Sequence, residues 1–336
     1  MAHRRHLEDC QGFAVAHGAI NAVNPLSATY GAIAAARNLL YDTGFFSGKL
    51  HAPVVSIGSL SVGGAGKTPF LILLGELLKA RGIAFDVLSR GYGRSTRGVR
   101  LVDPEGSARE FGDEPLLIAR KLQVPVIVGE DRYEAGVYAE QKLGAQVHLL
   151  DDGFQHRALR RDFDIVLLTE RDLRDRLFPM GRLREPLSSL ERAHAVVLMD
   201  RTLDARIEVR DKFLWKVDRG IRIGDTPPGQ IAFCGIARPG NFFRALQQAG
   251  LEPAATVAFR DHHPYAEKDV EDLLRLRDQK KVQGFVTTEK DAINLEGFAG
   301  QLFPLFVVPV RMELHHAETV VESLLATISP RSTAAP

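Results

Sequence analysis

The chain has 336 residues, of which 45% are hydrophobic and 25% are charged, and its formal net charge at pH 7 is +1. This length predicts two domains, and this composition excludes a disordered chain. Two cysteines are too few for a disulfide framework or a cysteine-rich zinc site, which favours a reducing, cytoplasmic compartment.

The region from about Phe13 to Phe46 is mostly apolar and weakly charged, with Pro25 as a helix start or break. Two structures fit this pattern. One is a helix packed on the domain surface, and the other is an interfacial helix on a membrane, with Arg37 and Lys49 near the headgroups. The preceding residues lack the compact apolar core of a cleavable signal, and no apolar run is long enough to span a bilayer.

The first chemical signal is a glycine-rich stretch between a predicted strand at 53–57 and a predicted helix at 69–79. This order is that of a P-loop, in which backbone N–H groups and the helix N-terminus bind phosphates. The lysine adds a charge at the β- and γ-phosphates, and the threonine hydroxyl can bind Mg²⁺. The predicted ATP-binding residues are Ser61, Val62, Gly63, Gly64, Ala65, Gly66, Lys67 and Thr68.

After the P-loop, apolar runs typical of strands alternate with helical patterns, at 84–89, 124–128, 147–151, 163–168 and 195–199. This alternation predicts an α/β fold, with a P-loop NTPase domain built on a mostly parallel sheet. The run at 147–151 ends in Asp151 and Asp152. Because a carboxylate after such a strand can hold Mg²⁺ opposite the P-loop threonine, we expect Thr68, Asp151 and Asp152 to form a metal site.

A polar, charged stretch at 200–229 precedes a second series of predicted strands and helices. It indicates a smaller α/β domain, and the predicted division is a P-loop domain at 1–224, a smaller domain at 225–300 and a return to the large domain at 301–336. In the smaller domain, two predicted strands are each followed by acidic or histidine residues, which lie at 261–263 and at 289–291. We therefore expect functional residues of both domains to meet across a cleft.

Seven motifs in chain order resemble those of the tetraacyldisaccharide 4'-kinase family. The resemblance extends from about Pro53 to Val310, and the family's P-loop also begins with Ser or Thr. Two departures are Ser59, where the family usually has Asn, and an N-terminal segment that is less basic than expected. The motifs lie at 61–69, 89–93, 112–115, 151–156, 183–186, 261–263 and 288–291.

This resemblance implies a phosphotransferase with an alcohol group as acceptor. It would transfer the γ-phosphate of ATP to the 4'-hydroxyl of an acylated glucosamine disaccharide 1-phosphate during lipid A biosynthesis. The implied cofactors are ATP and Mg²⁺, and the implied location is peripheral, on the cytoplasmic face of the inner membrane. We expect no nucleic-acid partner, because no basic motif interleaved with aromatic residues is present, and no obligate protein partner.

The resemblance also assigns roles to site residues. Asp113 and a histidine of the 261–263 motif would form the base that accepts the proton of the sugar hydroxyl. We assign this role to His262, with the adjacent His263 as the alternative. Arg132 and Glu185 are expected in the active site.

Three other protein classes share parts of this sequence pattern. The motif at 261–263 also occurs in metal-dependent phosphoesterases, but further Asp/His pairs at strand ends are not found. A partitioning or metal-delivery ATPase would need a lysine where Val62 stands. The remaining alternative is a P-loop ATPase that acts as a nucleotide-regulated protein-binding switch.

Overall fold

The computed structural model describes residues 13–15, 25–42, 47–200, 203, 207–209 and 211–329. Its strands are β1 (Phe13–Val15), β2 (Val54–Ser59), β3 (Phe85–Ser89), β4 (Arg100–Leu101), β5 (Val126–Val128), β6 (Val147–Asp151), β7 (Phe163–Leu168), β8 (Ala195–Leu198), β9 (Ile207–Val209), β10 (Phe213–Ile221), β11 (Ile231–Cys234), β12 (Ala255–Ala258), β13 (Phe285–Thr288), β14 (Leu305–Val308) and β15 (Val310–Leu314). Its helices are α1 (Pro25–Asp42), α2 (Lys67–Ala80), α3 (Ala108–Phe111), α4 (Asp113–Leu122), α5 (Arg132–Lys142), α6 (Pro239–Gln248), α7 (Glu267–Lys280), α8 (Glu289–Leu295) and α9 (Ala317–Ile328).

The larger sheet has nine strands in the order β15-β10-β8-β7-β2-β6-β3-β5-β4. All neighbours from β10 to β5 are parallel, and only the edge strands β15 and β4 pair antiparallel. The inner strands are buried on both faces, as β2 and β7 are along their whole length, which explains why they read as continuous apolar runs. Helix α2 covers one face through Phe70, Leu71, Leu74 and Leu78.

A second sheet of four strands has the order β12-β11-β13-β14, and all its pairs are parallel. Its core contains Phe233, Phe285, Leu273 and Leu295. The two parallel sheets confirm the predicted α/β class, with a P-loop unit on a mostly parallel sheet and a smaller α/β unit.

The strand β10 lies in the stretch at 200–229 that the sequence marked only as polar and charged. Trp215 and Val217 are the buried positions of this strand, and the other residues are half-buried or exposed. The apolar run of β10 covers only 213–215, Lys216 interrupts it and charged residues follow at 218 and 219, so it is shorter than the runs by which the inner strands were predicted. Strand β10 belongs to the larger sheet, so the change from the larger sheet to the four-stranded sheet lies between Ile221 and Ile231.

Sheet membership changes again at Pro309. Strand β14 pairs with β13 in the smaller sheet, and β15 pairs with β10 in the larger one. The change back to the larger sheet thus lies a few residues after the boundary at 301 that the sequence suggested.

Helix α1 begins at Pro25, within the apolar segment noted in the sequence. Parts of that segment, residues 16–24 and 43–46, lie outside the described residues. In the part of the chain that the structure describes, the helices are too short or too polar to cross a bilayer.

Candidate active site

A cavity of about 890 Å³ lies where the carboxyl ends of strands from both sheets meet. Its wall from the larger sheet follows β2, β3 and β6, and its wall from the smaller sheet follows β11 and β13. This is the edge at which open α/β sheets bind ligands. The cavity therefore brings residues of the two sheets into one site.

The P-loop forms one wall of the cavity, from Val62 to Thr68. Gly66 precedes α2 with φ 89°, a left-handed conformation that favours glycine. A Cβ atom on Gly64 would lie 2.8 Å from the side chain of Arg238, which follows β11 of the smaller sheet. Ser61 is buried and bridges to Leu183, and it is absent from the cavity lining.

Lys67 and Asp152 meet at the floor of the P-loop. The Lys67 ammonium lies 3.4 Å from Asp152 Oδ1 and 3.4 Å from Ser59 Oγ, to which it donates. Arg184 donates to both carboxylate oxygens of Asp152, at 2.9 and 2.8 Å. Burial alone would raise the pKa of Asp152, but the charges of Lys67 and Arg184 hold it well below its usual value. Asp152 is thus a fixed anion beside the Lys67 ammonium.

Asp151 lies beside Asp152 in a different environment. Ser89 Oγ donates to Asp151 Oδ2 at 2.9 Å, whereas Oδ1 has no hydrogen-bond partner among the described residues. Burial, with the neighbouring charges of Glu114 and Asp152, raises the pKa of Asp151 to about 7. A bound cation would reverse this effect. The unpaired oxygen therefore fits a metal ligand.

Asp113 and His262 meet across the cavity from positions 149 residues apart in sequence. His262 Nδ1 lies 3.0 and 2.9 Å from the two oxygens of Asp113. Asn294 donates to Asp113 Oδ2 at 3.0 Å, and the Glu114 amide donates to Oδ1 at 2.8 Å. Burial opposes ionisation of Asp113, but its bond to His262 and the charge of Lys290 outweigh burial and lower its pKa.

His263 points into the smaller sheet unit. Its Nε2 lies 2.9 Å from Asp269 Oδ2, and its ring stacks on Phe259 at 4.7 Å between centroids. It also makes an edge contact with Tyr265 and is absent from the cavity lining. Of the two histidines that the sequence left open, the structure brings only His262 to Asp113.

Arg132 and Glu185, both expected in the site, have different positions. Arg132 lines the cavity and donates to the Glu130 carbonyl at 2.7 Å. Glu185 has a fully buried side chain, lies outside the cavity lining, and accepts from Asn38 at 3.0 Å and from Arg192 at 2.8 Å. Glu185 therefore contacts residues behind the cavity wall and does not itself line the cavity.

Several side chains of the site had no assigned role from the sequence. Lys290 and Asn294 reach Asp113 from α8, and Arg184 reaches Asp152 from the motif at 183–186. Lys290 and Asn294 are four residues apart and thus share a face of the helix. This spacing, beside the motif at 288–291, was the sequence pattern that could have predicted both residues as part of the site.

Comparisons with known proteins agree on one family. The family model described as tetraacyldisaccharide-1-P 4'-kinase matches residues 20–329. Among curated proteins, a tetraacyldisaccharide 4'-kinase of Koribacter versatilis is 48% identical over 92% of this chain and 99% of its own length. One of Aquifex aeolicus is 38% identical over 86% of this chain and 94% of its own length. A crystal structure of Aquifex aeolicus LpxK, titled an apo form in complex with ATP, has 35% identity and a TM-score of 0.75, covering 90% of this chain and 98% of that chain.

Proposed function

This chain belongs to the tetraacyldisaccharide-1-P 4'-kinase family, and from that premise we propose that it transfers the γ-phosphate of ATP to the 4'-hydroxyl of tetraacyldisaccharide 1-phosphate in lipid A biosynthesis. It is accordingly a phosphotransferase. The observation that carries the proposal is that the P-loop lysine and the Asp113–His262 pair line the same cavity. The protein-binding switch considered from the sequence finds no support, because the matched relatives are named as kinases.

The nucleotide would lie along the P-loop from Val62 to Thr68. Backbone N–H groups and the N-terminus of α2 would face the phosphates, and Lys67 would hold the β- and γ-phosphates. Asp152 and Arg184 support this arrangement, because their ion pair keeps an anion within 3.4 Å of the Lys67 ammonium. Arg132 supplies a further positive charge in the same wall of the cavity.

We propose that Thr68, Asp151 and Asp152 would hold a magnesium ion, with Asp152 also bound through both oxygens to Arg184. Magnesium is commonly bound through one or two carboxylates together with substrate phosphates, and Asp151 Oδ1 offers an oxygen without a hydrogen-bond partner in the described chain. When bound, the ion would neutralise charge on the phosphates.

The acceptor hydroxyl would give its proton to the Asp113–His262 pair. Its oxygen forms a bond to the γ-phosphorus, the bond from that phosphorus to the bridging oxygen breaks, and ADP leaves with both electrons of that bond. The carboxylate orients the imidazole and stabilises its protonated form. The hydrogen bonds of Asn294 and of the Glu114 amide support this role, because they fix the Asp113 carboxylate.

Glu185 would act by positioning. Its carboxylate binds Arg192 and Asn38, and it follows Arg184 directly in sequence. Arg184 in turn binds Asp152. Glu185 thus holds α1 and the chain around Arg184 against the P-loop wall without lining the cavity.

The two sheets would correspond to two domains that close over the bound substrates. The sheet changes near 221–231 and at Pro309 support this division. Closure would exclude water from the transferring phosphate. The Arg238 side chain, which follows β11 of the smaller sheet, lies against Gly64 of the P-loop and so already connects the two units.

The proposed location is peripheral, on the cytoplasmic face of the inner membrane. A surface that we call the apolar face supports it: the exposed residues Ile33 and Leu40 of α1, and Phe178 and Met180 of the neighbouring loop. Ser27 Oγ donates to the Leu177 carbonyl at 3.1 Å, which joins the helix to this loop. Exposed arginines border the loop at 171, 174 and 176. Apolar side chains beside basic ones are typical of surfaces that bind anionic bilayers.

The test is transfer of labelled γ-phosphate from ATP to tetraacyldisaccharide 1-phosphate, with Mg²⁺ and detergent. We expect labelled lipid with the wild type and none with Lys67→Ala. The exposed Lys280 at the end of α7 provides a matched control, and Lys280→Met should label lipid as the wild type does. A folded wild type that binds ATP but labels no lipid would refute the proposal.

A further inference from the structure

Lys290 occupies the centre of a charged cluster on the acceptor side of the cavity. It lies in the first turn of α8, directly after β13 of the smaller sheet. Its ammonium lies 3.1 Å from His262 Nε2, 3.2 Å from Glu114 Oε1 and 3.4 Å from Asp261 Oδ1. Asp113 Oδ2 is 3.8 Å away, and only 15% of the Lys290 side chain is exposed. The ammonium therefore touches His262 and both sides of the cavity at once.

These contacts define where the hydrogen of the His262 ring lies. A lysine ammonium can only donate hydrogen bonds, so Nε2 must accept from it. Nδ1 then carries the hydrogen and donates to Asp113, which has only acceptor oxygens. The hydrogen-bond network thus assigns a neutral imidazole whose lone pair is on Nε2.

The charges around His262 act in opposite directions. Burial and the Lys290 ammonium lower the pKa of His262, whereas Asp113 and Glu114 raise it, and the pKa is raised overall. Asp261 lies on the same loop as His262, with Oδ1 3.9 Å from Nε2, and the Tyr92 ring lies 5.1 Å away. Lys290 is the cation in this set, so it opposes premature protonation of the imidazole.

We propose that Lys290 is a positioning residue that keeps His262 in its neutral form and reserves Nε2 for the acceptor hydroxyl. This inference rests on the kinase function proposed above. When the sugar hydroxyl approaches, the ammonium leaves Nε2 and remains bound to Glu114 and Asp261, both of which it already contacts. His262 Nε2 can then accept the hydrogen bond of the substrate hydroxyl, while Lys290 keeps its contacts with Glu114 and Asp261.

The proton balance closes over one turnover. The hydroxyl proton passes to Nε2 as the oxygen attacks the γ-phosphorus, and the resulting imidazolium is stabilised by Asp113. The ammonium of Lys290 keeps its three protons throughout. Its return to Nε2 disfavours the imidazolium, so His262 releases the proton to water before the next turnover.

The test compares kcat as a function of pH for the wild type, Lys290→Met, Lys290→Arg and the Lys280→Met control. Removing a neighbouring cation raises a histidine pKa by about one unit. We therefore expect the acidic limb of the Lys290→Met profile to move up by about one pH unit, so that kcat is about tenfold lower at pH values below both limbs and close to the wild-type value on the plateau above them. Lys290→Arg retains the charge and should keep the limb near the wild-type position.

Two kinetic results would overturn the inference. One is a uniform loss of kcat with an unmoved limb. The other is a rise in KM for the lipid with an unmoved limb, which would make Lys290 a substrate-binding group. If Lys290→Met does not fold, Lys290→Gln removes the same charge and preserves a hydrogen-bond donor.

A second readout does not depend on turnover. Titration of the His262 ring by NMR, with its signal identified by its absence in His262→Asn, should give a higher pKa in Lys290→Met than in the wild type. An unchanged pKa would refute the role of Lys290. A wild type without lipid labelling but with this pKa difference would refute the proposed function and leave the charge effect of Lys290 standing.

Discussion

On the nucleotide side of the cavity, Lys67 and Asp152 meet because they follow β2 and β6, which are neighbours in one sheet. On the acceptor side, Asp113 and His262 meet although they belong to units built on different sheets. The first contact is therefore set by strand order within one sheet. The second depends on how the two sheets are placed relative to each other, so the two sides should respond differently to substitution.

The largest effect is expected on the nucleotide side. Lys67→Ala removes the charge that we propose faces the phosphates, and it leaves Asp152 without one of its two cationic partners. We expect kcat to fall by about 10³-fold, together with weaker ATP binding. Steady-state kinetics and calorimetric titration with ATP measure the two effects. ATP affinity equal to that of the wild type would show that Lys67 does not bind the nucleotide.

Substitutions on the acceptor side should lower the rate of phosphate transfer and leave nucleotide binding intact. Asp113→Ala and His262→Ala are each expected to lower kcat by about 10²-fold or more, the usual range for loss of a general base. ATP affinity should be largely retained, because neither residue belongs to the P-loop. His263→Ala is the matched control, since His263 binds Asp269 and lies outside the cavity lining. A larger loss of kcat in His263→Ala than in His262→Ala would reverse the assignment.

Glu185 supports the nucleotide side of the site from outside the cavity. Glu185→Ala leaves Arg192 and Asn38 without their carboxylate partner in a buried setting. Loss of such a charged hydrogen bond should cost about 2 kcal/mol of unfolding free energy. Chemical denaturation measures it. Unchanged stability combined with a large loss of kcat would instead place Glu185 in the reaction itself.

The smallest effect concerns binding of the protein to a lipid surface. The double variant Phe178→Ser with Met180→Ser removes two exposed side chains of the apolar face. We expect binding to anionic vesicles to weaken about tenfold or more, since burying the exposed halves of both side chains contributes about 1.5 to 3 kcal/mol and about 1.4 kcal/mol is a factor of ten. ATP binding in detergent should be unchanged.

Phe303→Ser is the control for this variant, because Phe303 is also an exposed aromatic residue but lies between α8 and β14, in the smaller unit. It should bind vesicles as the wild type does. Equal losses in Phe303→Ser and in the double variant would show that vesicle binding is not specific to the apolar face.

The same contrast explains which parts of the site could be predicted from the sequence. The P-loop and the acidic residues after β6 are contiguous patterns whose chemistry follows from their place after a strand. The inner strands could be predicted because burial on both faces makes them continuous apolar runs. Strand β10 could not be predicted in this way, because Trp215 and Val217 are its buried residues and its apolar run is short, from 213 to 215.

The acceptor side required the family resemblance or the structure. Asp113 and His262 are 149 residues apart, and no local pattern indicates that they meet. The choice between His262 and His263 also depends on side-chain direction, which adjacent positions in a loop do not specify. Similarly, Glu185 has a charge typical of an active-site residue, but its neighbours Arg192 and Asn38 bury it away from the cavity.

The central claim is that the two sides of the cavity act together to move one phosphate onto one hydroxyl. The most direct test is to determine by ³¹P and ¹H NMR which carbon of the disaccharide carries the new phosphate after reaction with ATP. We expect a phosphate on the 4' oxygen with the wild type and about 10³-fold slower formation of this product with Lys67→Ala. Release of inorganic phosphate from ATP, without any phosphorylated lipid, would contradict it.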